Sequence, residues 1–176
     1  ENPVQVFVTS HSPNFAALAD IDSISCIYEA SEVVGCHAPR EIAFEKRKKE
    51  KLQRYLNVTR AEIFFARRII LVEGTAELFL VEAMAHKLGI DLRKHSVSVI
   101  STDGLNFDAF LPLFGETALK VPVAVVTDGD PTGIYPQPGE HHEPSATAKS
   151  IQAQSDTFVR PFLAAKTLEY DLAMTA

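Results

Sequence analysis

Two stretches decide the fold: Arg68-Ile-Ile-Leu-Val-Glu-Gly74 and, further along, Val121-Pro-Val-Ala-Val-Val-Thr-Asp-Gly-Asp130. In each, an uninterrupted apolar run stops at an acid beside a glycine. Consecutive apolar positions, rather than alternating ones, mark a strand buried on both faces, the signature of a parallel sheet. Between the two lies a predicted helix from Thr75 to Leu88, with Leu78, Val81, Glu82 and Ala85 at helical spacing and Gly89 to end it. Val97-Ser-Val-Ile100 reads as a further strand, Gly104 as a turn, and Asn106 to Phe114 as a short helix. After them, Thr157-Phe-Val-Arg-Pro-Phe-Leu163 reads as the last strand, and Pro161 assigns it to an edge, where a missing N–H is tolerated. Thr167 is placed to cap a helix that begins Leu168-Glu-Tyr170. Strands alternating with helices predict an α/β fold, a parallel sheet with right-handed crossovers and flanking helices.

Upstream the pattern is less regular. Val4-Gln-Val-Phe-Val-Thr-Ser10 reads as a strand, His11-Ser-Pro13 as a turn, Asn14 to Ala19 as a short helix and Ser25-Cys-Ile-Tyr28 as a strand. A charged helix is expected from Pro39 to about Gln53 and a second from Arg60 to Ala66, an additional helical segment before the sheet. Pro131 to Pro144, rich in proline and glycine, reads as a loop, and its His141-His142 pair reads as solvent-exposed rather than metal-binding. The chain starts at Glu1 and almost at once enters an apolar run, so it reads as an excised fragment or a chain with missing parts.

With 176 residues, 46% hydrophobic and 23% charged, the chain has the composition of a soluble globular protein able to bury a core without disulfides. No apolar run approaches the roughly 20 residues of a membrane span, so no membrane partner is expected. No basic stretch followed by an apolar one opens the chain, so no secretory signal is expected. The two cysteines, Cys26 and Cys36, read as reduced thiols of a cytoplasmic protein.

The net charge of −6 argues against a polyanionic partner, but its distribution argues otherwise. Ten of the 17 Lys and Arg lie between Arg40 and Arg68 against four Glu, and the remainder carries 7 cations against 19 acids. A basic segment thus joins an acidic domain, and acidic domains that act on polyanions recruit divalent metal. The plainer reading is a solvated helix face, since Glu45 and Glu50 interrupt the basic run.

The acids of the α/β region fall at the ends of predicted strands. Glu73 closes the first, Glu77 follows one helical turn later, and Asp128 and Asp130 close the third. Ligands of open parallel sheets bind outside the carboxyl ends of the strands, so these four are expected to converge. Carboxylates that close repel unless cations lie among them, and an all-oxygen donor set selects Mg²⁺ or Mn²⁺ over zinc. Taken singly, each acid is equally a helix cap or a turn residue.

Leu71-Val-Glu-Gly74 followed by Asp128-Gly-Asp130 resembles the Toprim domain, a Rossmann-like fold shared by topoisomerases, bacterial primases and some nucleases. The longer strings Val72-Glu-Gly-Thr-Ala-Glu77, Ser101-Thr-Asp-Gly-Leu-Asn-Phe107, Val125-Val-Thr-Asp-Gly-Asp130 and Lys166-Thr-Leu-Glu-Tyr-Asp-Leu172 resemble the OLD (overcoming lysogenization defect) family of nucleases. In that family an ABC-type ATPase domain precedes the Toprim domain. Val6-Phe-Val-Thr-Ser-His-Ser-Pro13 resembles the last ATPase strand and its switch-histidine loop, with His11 as the histidine.

The resemblance implies residues 1–38 as the end of an ATPase domain, 39–66 as a basic helical segment and 67–176 as a Toprim nuclease domain. It implies a metal-dependent DNA endonuclease or nickase, with Glu73, Asp128 and Asp130 on one metal and Glu77 and Glu169 contributing to a second. Lys166 would face a phosphate. The implied partners are DNA, the protein's own ATPase domain and, through the full-length protein, a second copy. ATP would act only in the full-length protein, because no Walker A loop occurs in this chain. Competing readings are a primase- or topoisomerase-type Toprim and a non-catalytic Mg²⁺-binding or DNA-binding accessory module. None of Tyr28, Tyr55, Tyr135 and Tyr170 has a setting that suggests a topoisomerase nucleophile.

Overall fold

A computed structural model of the chain describes residues 3–30, 32–56, 59–104, 106–131 and 143–175. Four parallel strands form its sheet: β3 (Arg68–Val72), β4 (Val97–Ser101), β5 (Val123–Thr127) and β6 (Val159–Leu163), in the order β4-β3-β5-β6. An antiparallel hairpin, β1 (Cys26–Ala30) with β2 (Val33–His37), precedes them. The helices are α1 (Pro13–Leu18), α2 (Lys46–Tyr55), α3 (Thr75–Lys87), α4 (Phe107–Phe110), α5 (Ala146–Gln152) and α6 (Leu168–Thr175). Among the described residues no helix is long and apolar enough to cross a membrane.

The parallel register aligns Ile69 with Val123 and Val159, and Leu71 with Ile100 and Val125. These side chains share one face of the sheet and are buried to 4% exposure or less. Right-handed crossovers place α3 on one face and α4 and α5 on the other. On the latter side Phe107, Phe110 and Leu113, all fully buried, fill the space between the sheet and α2. Leu52 of α2, Leu56, Ile63 and Ile21 join the same cluster, so the basic segment is packed into the core of the sheet rather than strung beside it. The predicted edge position of Pro161 holds, because β6 is the outermost strand beyond β5.

Several expectations need correction. Residues 3–12 form no strand, and Val4, Val6, Phe7 and Val8 are between 68% and 85% exposed. β-propensity without a neighbouring strand to complete the ladder does not make a strand. The helix expected from Pro39 to Gln53 is broken. A single 3₁₀ turn, Pro39–Glu41, is followed by an irregular stretch before α2 starts at Lys46. The break turns both Ile42 and Phe44 onto the core, which an unbroken helix would not allow for residues two apart. The Arg60–Phe64 segment is 3₁₀ rather than α. Two elements had not been expected, β2 and α5, the latter capped by Ser145 accepting from the Ala148 N–H at 3.2 Å. The His141-His142 pair lies outside the described residues.

Both cysteines are free. Hairpin register pairs Cys26 with His37 and Cys36 with Ile27, so the two thiols point to opposite faces. Burial, helped by Cys36, pushes the Cys26 thiol up to about 11, which leaves it protonated and unreactive near neutrality.

Candidate metal centre

Because all four sheet strands run the same way, their carboxyl ends share one rim. β3, β5 and β6 are consecutive neighbours there. The residue that follows β3, Glu73, reaches sideways to the end of β5. Its Oε1 accepts from the buried Thr127 hydroxyl and from the Asp128 N–H at 2.9 Å. Its backbone carbonyl accepts from the Gly104 N–H at 2.7 Å, which ties the loop after β4 to the same point. Asp128 in turn reaches the end of β6, and its Oδ1 accepts from the Leu168 N–H at the start of α6, at 3.0 Å. Glu73, Asp128 and the first turn of α6, with Glu169, are thereby linked across three adjacent strand ends.

The loop after β5 is held by main chain. The N–H groups of Gly129 and Asp130 both donate to the Lys166 carbonyl, at 3.0 and 3.1 Å. A Cβ on Gly129 would lie 2.3 Å from the Ala164 carbonyl oxygen, so glycine is what lets these two loops touch. Asp130 itself adopts a φ of +43°, in the left-handed region, at the exposed lip of the rim. Asp171 fastens the other side of the loop by accepting from the Ala165 N–H at 3.0 Å.

Electrostatics record the convergence. Burial pushes the Asp128 carboxyl up to about 6; the Leu168 N–H opposes this, and the charges of Glu73, Asp130 and Glu169 add to it. Three of the other four expected metal ligands therefore act on Asp128. The fifth, Glu77, does not. Its Oε2 accepts from the Gly74 N–H at 2.9 Å and closes the first turn of α3, the capping role weighed for it from sequence. Lys166 contributes its carbonyl to the rim, and its ammonium lies over the Tyr170 ring, 5.8 Å from the centroid. Thr127, Leu168 and Asp171 are positioning groups around the acids. A threonine at a strand end is a readable signal; the Leu168 N–H and the Asp171 contact are not, because both arise from how the β6–α6 loop folds back.

Among the described residues no three acids, imidazoles or thiols close on a common point as a finished cage. The donor set nonetheless fits a hard dication. It is all oxygen, it is held by neutral donors rather than by Lys or Arg, and its central carboxyl is destabilised by its neighbours.

Residues 64–130 match the family described as overcoming lysogenization defect protein-like, TOPRIM domain. Residues 64–130 thus resemble an OLD-family Toprim domain. Solved structures similar to it include the C-terminal region of the Burkholderia pseudomallei OLD protein, 34% identical, with a TM-score of 0.49, covering 60% of this chain and 56% of that one. The C-terminal region of the Xanthomonas campestris pv. campestris OLD protein is 30% identical, with a TM-score of 0.45, covering 61% of this chain and 54% of that one. The chain thus spans little more than half the length of either region. No curated protein matches the chain. The Toprim domain runs from just before β3 to the Asp128-Gly-Asp130 turn in this match, which includes Glu73, Asp128 and Asp130 and leaves Glu169 outside.

A raised folded-state value means that the native chain binds more protons than the unfolded one between about pH 4 and 6. Its stability from this group therefore falls as pH rises through that window. Asp128→Asn keeps an oxygen for the Leu168 N–H and removes the charge. It is expected to raise the Tm in chelator at pH 7.5, at roughly 2–4 °C per kcal/mol for a chain of this size. Mg²⁺ is expected to raise the Tm of the parent, and the same variant should lose most of that increase. That increase reaches about 2.7 kcal/mol at a cation concentration 100-fold above Kd. Thermal melts with and without Mg²⁺ check both, and a lower Tm for the variant in chelator contradicts the repulsion argument.

Proposed function

We propose that this Toprim domain hydrolyses DNA phosphodiester bonds with Mg²⁺ or Mn²⁺, as the cutting domain of an ATP-dependent OLD-family nuclease. The observation that carries the reading is the linked set Glu73, Asp128, Asp130 and Glu169 on one rim of a parallel sheet. Glu73, Asp128 and Asp130 would hold one cation, and Glu169 would face a second. In two-metal sites the ions, about 3.5–4 Å apart, supply an activated water and neutralise the attacking and leaving oxygens.

The chain's own residues prepare that chemistry. Thr127 and the Asp128 N–H fix one oxygen of Glu73 and so orient the carboxylate. The Leu168 N–H does the same for Asp128 and sets the start of α6, which carries Glu169. Glu77 is turned to the Gly74 N–H through Oε2, and its charge is not among those that act on Asp128, whereas that of Glu169 is, so Glu169 is the stronger second-site ligand. Lys166, at the head of the same loop, is the cation nearest in sequence to take up phosphate.

Residues 1–38 would form the end of the preceding ATPase domain, with His11 beside its nucleotide, and a homodimer would form through the full-length protein. A cytoplasmic location would fit a DNA substrate. The test is nicking of supercoiled plasmid by the full chain with Mg²⁺, Mn²⁺ or chelator and no ATP. Metal-dependent nicking is expected. Metal binding without nicking would favour the non-catalytic accessory module instead.

A further inference from the structure

The sheet has a second rim. Opposite the carboxylates, the segments that enter three neighbouring strands each bring cations: Arg93 and Lys94 before β4, Arg67 and Arg68 at β3, and Lys120 before β5. Their proximity is fixed by main chain. The Arg68 N–H donates to the Ser96 carbonyl at 3.1 Å and its guanidinium to the His95 carbonyl at 2.8 Å, while the Ile69 N–H donates to the Pro122 carbonyl at 2.9 Å. All five cations are exposed, and none forms an ion pair with a described residue. The acids at hand include Glu62, which shares a cleft with Arg93, and Asp91, whose carboxylate accepts from the N–H groups of Arg93 and Lys94; Glu41 acts with Lys120 on His37, and Asp156 accepts from the Phe158 and Val159 N–H groups at the entry to β6. That cleft, about 340 Å³, also exposes the Phe65 ring, which is 39% accessible.

The contrast with α2 is informative. Its basic run suggested the polyanion contact, yet Lys48, Lys49 and Lys51 pair with Glu45, Asp22 and Asp108. On α2, Lys46, Arg47 and Arg54 form no ion pair with a described residue, and a larger set of unpaired cations gathers at the amino ends of the strands. At about 3.3 Å per residue, five-residue β3 separates them from Glu73 by roughly 17 Å.

We propose that this amino-end rim is a second nucleic-acid contact, at which Arg67, Arg93, Lys94 and Lys120 hold phosphodiester backbone away from the cutting rim. The proposal rests on the nuclease reading only for its choice of polyanion. Spaced cations with an exposed aromatic ring among them are the chemistry of backbone tracking with base stacking.

Fluorescence anisotropy of labelled 20-nucleotide single strands and 20-bp duplexes, titrated with the full chain in chelator, tests it. The rim variant is Arg67→Gln/Arg93→Gln/Lys94→Gln; Arg68 is spared because it braces the β3–β4 entry. The comparison variant on α2 is Lys46→Gln/Arg47→Gln/Arg54→Gln. The rim variant should bind at least roughly tenfold more weakly at low salt, with the slope of log K against log salt shallower by about 3. The α2 variant should lose less, and thermal melts should show both folded. Loss on the single strand, with a further loss for Phe65→Ala, assigns the rim to single strands; loss on the duplex alone assigns it to duplex. An unchanged rim variant, an equal loss in the α2 variant, or no binding by the parent overturns the proposal. Metal-dependent nicking is scored separately. Nicking by the parent with unaltered binding by the rim variant sinks this inference alone, and rim-dependent binding without nicking sinks the nuclease reading alone.

Discussion

Asp128→Asn is expected to lower Mg²⁺-dependent nicking by at least about 10²–10³-fold, the scale on which losing one preorganised electrostatic contact acts. Asp128 is the central member of the rim. Its N–H donates to Glu73, its Oδ1 accepts from the Leu168 N–H at the start of α6, and it feels the charges of Glu73, Asp130 and Glu169. Asparagine retains the Leu168 contact, so loss of activity cannot be blamed on a displaced helix. Glu73→Gln should fall as far, because its oxygen can still accept from Thr127 while the charge is gone. Glu77→Gln should retain the Gly74 contact and keep activity within a few fold, if its work is to cap α3. Glu169→Gln separates the two cation positions: full activity there, with Asp128→Asn dead, leaves the first position standing and removes the second. Plasmid nicking initial rates for the four variants decide this. Asp128→Asn cutting as fast as the parent would falsify the assignment of the centre.

The parts of the fold that were readable from sequence share a physical cause. β3 and β5 are covered on both faces, so their apolar runs are continuous and their ends abrupt, and Glu73 and Asp128 fall on those ends. Pro161 identified an edge because a central strand needs every N–H. The hairpin strand β2 was hidden for the opposite reason. Its turn is made by Glu32 at a φ of +65°, where an Asn or Gly would have announced a hairpin. Helix α5 follows a proline-rich stretch and is marked by little more than Ser145 at its start. For Glu77, spacing is compatible with both a ligand and a cap, and the contact of its Oε2 with the Gly74 N–H is set by the fold of the turn rather than by spacing. The apolar residues 4–8 carried strand propensity without the neighbour that would realise it, since pairing is a property of two segments. The basic segment misled in a different way. Sequence counts charges, but which lysines are already neutralised depends on the acids of α4 and of the turn before β1.

Gly129→Ala should disable the centre without touching a single carboxylate. The added methyl would lie 2.3 Å from the Ala164 carbonyl oxygen and 3.2 Å from that of Ala165. Both are backbone atoms at the end of β6, so no side-chain rotation relieves the contact, and one of the two loops has to move. The loop that moves carries the Lys166 carbonyl, which receives the Gly129 and Asp130 N–H groups, and leads directly into Leu168, whose N–H holds Asp128. Displacement therefore separates Asp130 and Asp128 from Glu169 in one step. Overpacking of this kind costs about 1–3 kcal/mol, which lowers the Tm by a few degrees and leaves the core under Phe107 and Phe110 folded. The expected result is a folded protein whose Mg²⁺-induced Tm increase is largely lost and whose nicking falls to the level of Asp128→Asn. Gly104→Ala is the matched control, a glycine of φ +88° on the same rim with open space where its Cβ would stand. It carries local backbone strain but no collision with the β6–α6 loop, so it should lose stability and retain the response to Mg²⁺. If Gly129→Ala keeps both that response and its nicking rate, the touch between the β5 and β6 loops does not organise the centre.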